Sequence, residues 1–154
     1  METQVVDLLG GEQVLGEFLK SNLDLARATR EGLPAETAVR LAQLISGSTD
    51  QITGSDASTA MGQIPFSVHI GSSVETAAQP PDRLTPEQSD VVVRTATVLA
   101  RAIDVLGDKR KAVHWLTTPN RALGGEIPIT LLDTSAGAHE AEAVLERIEY
   151  GVYS

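Results

Sequence analysis

Residues 85–107 have the sequence TPEQSDVVVRTATVLARAIDVLG, and this stretch decides the fold. Thr85 and Gln88 have the spacing of a helix-capping box, and Pro86 between them suits the first helical position. Apolar residues then recur at intervals of three and four, the period of a helix with one buried face: Val92, Ala96, Leu99, Ile103 and Leu106. Gly107 is placed to end the helix. The pattern therefore predicts a long amphipathic helix that runs to about Leu106.

The sequence after this helix predicts a set of shorter helices. Asp108 is placed to cap the next helix, and Pro128 to open a short one that ends near residues 131–132. A last helix is expected at about 138–150, where apolar residues again recur with the helical period. Residues 119–125, PNRALGG, predict a turn with at most a single helical turn inside, because the glycine pair permits backbone angles closed to other residues.

The first part of the chain, residues 1–53, predicts a bundle of short helices. Ser21 is placed to cap a helix that stops at Gly32, and Pro34 suits the first position of a helix over 34–45. A further short helix is expected near 48–53. Short helices joined by tight turns are typical of a helix-turn-helix module. The periodicity alone fits any small helical bundle equally well.

Residues 54–83 differ in composition from both flanks. Gly, Ser, Thr, Ala and Pro dominate this stretch, and no Lys or Arg occurs between Arg40 and Arg83. Such a composition predicts a linker or a loosely ordered segment. The expected organisation is therefore an all-α protein with an N-terminal helix-turn-helix-like bundle at 1–53, a linker at 54–83 and a C-terminal helical domain at 84–154.

Composition limits the classes of function. The chain has no cysteine, which excludes disulfides and thiolate metal sites, and it has no apolar run long enough to span a membrane. We therefore expect a cytoplasmic protein without a membrane role. The net charge of −9 disfavours nonspecific binding to nucleic-acid phosphates and suits a partner with a basic surface.

The sequence offers no catalytic or cofactor-binding motif. Its histidines, His69, His114 and His139, lack the spacing of metal ligands, and the Gly10-Gly11 and Gly124-Gly125 pairs lack the strand-then-helix setting of a phosphate-binding loop. No signature of a serine hydrolase, a P-loop or a zinc protease is present. We predict that the chain is not an enzyme and binds neither a cofactor nor a metal.

Three motifs of the last third carry a resemblance to a known family: Lys111-Ala112 leading to Trp115-Leu116, PNRALGG at 119–125, and RIEYG at 147–151. From about residue 85 to its end, the chain resembles the toxin-binding domain of the Xre/MbcA/ParS antitoxin family. Weaker matches precede it, at 8–11, 23–25 and 30–34. The resemblance implies a type II antitoxin, usually dimeric, that covers the active-site cleft of a RES-domain toxin. Such a toxin degrades NAD or transfers ADP-ribose from it.

The resemblance implies a set of toxin-binding residues: Trp115, Asn120, Arg121, Leu123, Gly124, Gly125, Arg147, Glu149, Tyr150, Tyr153 and Ser154. Several of them have a purely structural alternative. Trp115 suits a core anchor as well as an interface anchor, and the 119–125 loop suits a tight connection between helices. We expect residues 151–154 to reach into the toxin's NAD-binding cleft.

DNA binding is the point at which the sequence departs from the family. Relatives commonly carry an arginine-rich segment just before the second half, and this chain has none. Arg27, Arg30 and Arg40 remain as candidates for contact with operator DNA. Two alternatives stay open: a helix-turn-helix regulator without a toxin partner, and a dimerisation module without a regulatory partner.

Overall fold

The computed structural model describes residues 2–15, 21–49 and 83–151. These residues confirm the predicted all-α fold. The helices are α1 (Glu2–Leu8), α2 (Gly11–Leu15), α3 (Asn22–Glu31), α4 (Ala35–Thr49), α5 (Pro86–Leu106), α6 (Lys109–Thr117), the 3-10 helix η1 (Arg121–Leu123), α7 (Pro128–Leu131) and α8 (Ser135–Glu149). Within these ranges, β pairing is confined to one isolated antiparallel bridge between Pro34 and Arg83.

The long helix predicted at the centre of the sequence is also the centre of the fold. The capping box of α5 is complete: the Thr85 hydroxyl accepts from the Gln88 amide, and the Gln88 side chain accepts from the Thr85 amide. Gly107 ends the helix in the left-handed conformation, with φ of +69°. Helices α1, α3, α4, α6 and α8 all contact α5. Its length and apolar face therefore organise the packing of both halves.

The hydrophobic core is aliphatic and continuous across the two halves of the sequence. Both halves contribute fully buried leucines. The first half supplies Leu9, Leu33 and Leu41, and the second half supplies Leu99, Leu116, Leu132 and Leu145. Burial of apolar surface is the main favourable term in folding. The helices of the first half thus gain much of their stability by packing on α5 and α6.

The turn between α3 and α4 is joined to the start of α5. Helix α3 is capped by Ser21 and ends at Gly32, as predicted. The Leu84 amide donates to the Leu33 carbonyl at 2.8 Å, and the Arg83 Nε donates to the Gly32 carbonyl at 2.9 Å. A Cβ at Gly32 would lie 2.2 Å from the Leu84 carbonyl oxygen, and Gly32 has φ of +89°, so only glycine fits.

Some predicted helix bounds are wrong. Helix α4 starts at Ala35, because Pro34 is held in extended backbone by its bridge to Arg83. Residues 48–49 continue α4 and form no separate helix, while 50–53 lie outside the described residues. Helix α8 starts at Ser135, three residues earlier than expected, because the Thr134 hydroxyl accepts from the Gly137 amide and caps it. The predicted linker lies outside the described residues except for Arg83, and the domain boundaries stay predictions.

None of the helices in the described ranges has the length and hydropathy needed to cross a membrane.

Candidate protein-binding site

The loop that contains the most specific sequence motif is closed around Asn120. Its side-chain oxygen accepts from the Ala122 amide at 2.9 Å and caps η1. Its backbone amide donates to the Glu126 carbonyl, and its carbonyl accepts from the Gly125 amide, both at 2.9 Å. Asn120 therefore holds the loop shut through its own backbone and side chain, which gives it a structural role that does not depend on a partner.

The glycine pair of this loop faces open space. Gly124 and Gly125 have φ of +69° and +90°, and a Cβ on either would meet nothing within 4 Å. Their backbone angles, and not crowding, require glycine here. Arg121 is exposed and Leu123 is half-buried, and η1 contacts α8. The loop thus presents the Arg121 side chain and bare backbone from a fixed position beside α8.

The end of α8 presents a large aromatic side chain. Tyr150 follows the helix directly and is 75% exposed. Few other large apolar or aromatic side chains in the described residues are exposed to this extent. Arg147 is exposed, and its Nε donates to the Ala143 carbonyl at 3.3 Å. Exposed Tyr and Arg side chains are the types enriched at binding hot spots. Tyr153 and Ser154 lie outside the described residues.

Glu149 makes a tertiary contact that its sequence did not indicate. Its Oε2 lies 2.5 Å from the Arg101 Nη2, so the last residue of α8 is tied to α5. The side chains of Arg101 and Glu149 are 24% and 40% exposed. Glu149 therefore has an internal partner, and direct contact of Glu149 with a toxin stays a prediction.

Trp115 lies largely within the core. Its ring packs against the buried cluster and is half-buried overall, while its Nε1 is buried and has no hydrogen-bond partner in the part of the chain that the structure describes. An unpaired buried donor costs about 1–3 kcal/mol. The core role proposed for this residue is the one that its packing supports, and a toxin contact stays a prediction.

A second arginine on α5 positions the start of α8. Arg94 Nη1 donates to the Leu132 and Asp133 carbonyls, both at 3.0 Å, and Nη2 pairs with the Asp90 carboxylate. Gly137 lets the chain approach closely, since a Cβ there would lie 2.0 Å from the Leu131 carbonyl oxygen. Sequence reasoning missed Arg94 and Arg101. The available signal was their spacing of one heptad, which places both on the same face of α5.

The first turn of α6 carries a run of cations beside a carboxylate. Asp108 accepts a hydrogen bond from the Lys111 amide at 3.0 Å. That bond, helped by the nearby charges of Arg110 and Lys111, lowers the pKa of Asp108 below its usual value against the opposing effect of desolvation. Asp108 is therefore a charged N-cap that α6 stabilises.

The candidate DNA-binding arginines are dispersed. Arg27 and Arg30 are exposed on α3, whereas Arg40 on α4 pairs with Glu36 at 2.9 Å.

An open cleft of about 380 Å³ lies between the first half and α6, and it is lined by Asp7, Leu8, Gly10, Arg40, Gln43, Leu44 and Lys109. Lys109 is followed by the exposed Arg110 and Lys111, and α6 contacts α4, so a run of three cations begins at this cleft. These cations are not among the residues predicted to contact DNA, although the KRK run at 109–111 is visible in the sequence.

The described residues contain no group of three or more His, Asp or Glu side chains arranged to hold a metal ion.

Comparisons with known proteins locate the similarity in the C-terminal part. Residues 101–151 match the family described as antitoxin Xre/MbcA/ParS C-terminal toxin-binding domain. Antitoxin Xre of Yersinia enterocolitica is 42% identical over 73 residues, which cover 47% of this chain and 49% of that protein. Antitoxin Xre of Photorhabdus laumondii is 37% identical over 73 residues, again 47% and 49% of the two chains. Antitoxin Xre of Pseudomonas putida is 35% identical over 68 residues, 44% of this chain and 43% of that protein.

The matched segment contains α6, η1, α7, α8 and the end of α5, so the similarity covers the helices that carry the exposed loop and Tyr150. Over these residues the chain is similar to the toxin-binding domain of the Xre/MbcA/ParS antitoxin family and to the curated Xre antitoxins. The chain spans about half the length of the curated relatives it matches.

Proposed function

We propose that this protein is a type II antitoxin that neutralises a toxin by binding it through the surface formed by η1 and the end of α8. The observation that carries the proposal is the coincidence of two facts. The family match covers residues 101–151, and within that segment the loop and Tyr150 are exposed on backbone that is held by hydrogen bonds. A pre-organised surface loses less conformational entropy on binding than a mobile one.

The proposed mechanism is steric. The partner is a RES-domain toxin that degrades NAD or transfers ADP-ribose, and this chain covers the active-site cleft of that toxin. The chemistry belongs to the toxin, and this chain contributes binding alone. The net charge of −9 supports a partner surface that is basic around the cleft, where NAD phosphates would bind.

The residues of this surface have separate tasks in the proposal. Arg121 can donate to carboxylates or carbonyls of the toxin, and the exposed backbone of Gly124 and Gly125 allows close approach. Tyr150 supplies a large aromatic anchor near the cleft. Residues 151–154 continue from this anchor, and we propose that they enter the cleft. We also propose that the protein acts in the cytoplasm as a homodimer.

Co-expression with a neighbouring RES-type reading frame, followed by measurement of cellular NAD, tests the function. We expect the pair to co-purify and NAD to be preserved, with NAD lost when the antitoxin is absent. Complex formation with NAD unchanged in both cases would indicate an ADP-ribosylating toxin. Failure of the two proteins to associate would contradict the proposal and favour one of the alternatives.

The surface is tested by Tyr150→Ala against Leu23→Ala. Leu23 is a matched control because it is also a large exposed side chain, 63% exposed on α3, and lies outside the family match. We expect Tyr150→Ala to weaken toxin binding at least about tenfold, as loss of a hot-spot residue does, and Leu23→Ala to leave it unchanged. Equal effects of both substitutions would place the interface elsewhere.

Autorepression through DNA is a second candidate function, and the cations of α6 are the observation that favours it. Helices α3 and α4 have the order of a helix-turn-helix unit, and Lys109 lines a cleft with α4 residues and begins the exposed run Lys109, Arg110 and Lys111. Phosphate contacts make affinity fall with salt, with a slope set by the number of phosphates contacted. Fluorescence anisotropy with the DNA upstream of the coding sequence tests this. Replacing all three cations by Gln should flatten the salt dependence, and an unchanged slope would exclude them.

A further inference from the structure

We propose that Arg101 is a positioning residue for toxin binding: its ion pair with Glu149 fixes the last turn of α8 and thereby the position of Tyr150. This inference rests on the proposed function. Arg101 was absent from the expected binding residues, and the pair lies just before the most exposed aromatic side chain described.

The geometry joins two helices at one point. Arg101 lies in the last third of α5 and Glu149 is the final residue of α8. The atoms Arg101 Nη2 and Glu149 Oε2 are 2.5 Å apart, and neither side chain has another ion-pair partner in the described residues. At the other end, Arg94 holds the carbonyls that precede α8. The two arginines of α5 therefore hold α8 at its beginning and at its end.

The pair contributes more to the position of Tyr150 than to stability. Ion pairs at partly exposed positions add little to the free energy of unfolding, because water screens the charges and two long side chains lose freedom. Helix α8 is held to the core independently by buried apolar residues: Ala138, Ala141, Val144 and Leu145. Removing the charge of Arg101 should therefore leave the fold intact.

The backbone after Glu149 depends on the last helical turn. The Tyr150 amide donates to the Glu146 carbonyl at 3.0 Å, and the Gly151 amide donates to the Ile148 carbonyl at 3.2 Å. Gly151 has φ of +67°, which departs from helical backbone, and a Cβ there would meet nothing within 4 Å among the described residues. Helix ends fray unless a tertiary contact holds them. The Arg101–Glu149 pair is the charged contact at this end, so its loss frees the turn that presents Tyr150.

The first measurement needs no toxin. Amide hydrogen exchange at Tyr150 and Gly151 is compared among wild type, Arg101→Gln, Glu149→Gln and the charge-reversed pair Arg101→Glu/Glu149→Arg. We expect both single variants to speed exchange at these two amides and the charge-reversed pair to restore it. Glu87→Gln in the first turn of α5 is the control, an exposed acid at the opposite end of that helix. Exchange that is equal in wild type and Arg101→Gln would overturn the proposal.

The second measurement is the dissociation rate of the purified toxin complex for the same variants. We expect the toxin complex of the Arg101→Gln variant to dissociate about two- to tenfold faster, because the freed turn must be ordered again on binding. The melting temperature of the variant should be unchanged. The charge-reversed pair should return the rate to that of wild type. Restored exchange without restored binding would show that Arg101 or Glu149 contacts the toxin directly, and would overturn the positioning role.

The two proposals fail in different ways. If the wild-type protein does not bind the toxin, the proposed function is wrong. The exchange data would still show whether Arg101 orders the last turn of α8. If the toxin binds and Arg101→Gln does not change the dissociation rate, the proposed function stands and the positioning role of Arg101 is wrong.

Discussion

The backbone amide of Leu33 donates a 2.8 Å hydrogen bond to the hydroxyl oxygen of Ser89, a residue 56 positions later that is completely buried. The same hydroxyl donates to the Thr85 carbonyl at 2.8 Å. One oxygen of Ser89 thus provides hydrogen bonds to two backbone groups, the Leu33 amide between α3 and α4 and the Thr85 carbonyl at the start of α5. A buried backbone group without a partner is strongly unfavourable, so this serine couples the folding of the two halves.

Ser89→Ala should destabilise the protein by about 1–3 kcal/mol, because it leaves the Leu33 amide buried without an acceptor. Chemical denaturation monitored by Trp115 fluorescence measures the change. Ser135→Ala is the control, since Ser135 is exposed in the first turn of α8, and it should change the free energy of unfolding by less than about 0.5 kcal/mol. A Ser89→Ala variant as stable as the control would show that Leu33 finds another acceptor.

Gly32→Ala should be more destabilising than Gly124→Ala, although both glycines have positive φ. At Gly32 the new Cβ would lie 2.2 Å from the Leu84 carbonyl oxygen, so a clash adds to the backbone strain. At Gly124 nothing lies within 4 Å, and only the strain of about 1–2 kcal/mol remains. Thermal unfolding of the two variants separates these terms. Similar melting temperatures would mean that the junction with α5 yields easily.

Trp115→Phe should leave stability unchanged or raise it slightly, because it keeps a packed ring and removes a buried Nε1–H that has no partner in the described residues. Trp115→Ala should cost about 3–5 kcal/mol through the cavity it creates. Urea denaturation followed by circular dichroism compares them. A large loss with Phe would show that the indole N–H has an acceptor, and a loss of toxin binding with unchanged stability would favour the interface role.

Asp108 should contribute stability that disappears in acid. Its pKa is lowered in the folded protein, mainly by the hydrogen bond from the Lys111 amide. The contribution is therefore present above the unfolded pKa of 3.8 and lost as the pH falls through the lower folded value. Melting temperatures of wild type and Asp108→Asn should differ near neutral pH and converge once the pH falls below the lowered pKa of Asp108. If the difference in melting temperature persists in acid, its cause is the changed geometry of the helix cap and not the charge of Asp108.

Much of the fold was predictable because local rules and the final structure agree. The capping box at Thr85, the cap at Ser21 and the turn at 119–125 each depend on neighbours within a few residues. The start of α8 was misplaced because the capping role of Thr134 was overlooked among equally polar neighbours. The start of α4 was misplaced because the bridge from Pro34 to Arg83 joins residues far apart in sequence.

The candidate site divides in the same way. The sequence pointed to the 119–125 loop and to Tyr150, and the structure exposes both. It gave no sign that Glu149 is paired with Arg101, that Trp115 Nε1 is buried, or that the run of cations in α6 begins at a cleft shared with α4. These relationships come from helix packing, which brings together side chains with no pattern linking them along the chain.

The sequence by itself determined the helical elements, their caps, the aliphatic core and the family resemblance, because helix period and capping act over one or two turns. Tertiary structure alone decided how the two halves meet at Leu33 and Ser89 and which arginines hold α8. The reason is that hydrogen bonds and ion pairs between distant segments form only after apolar burial has set the relative positions of the helices.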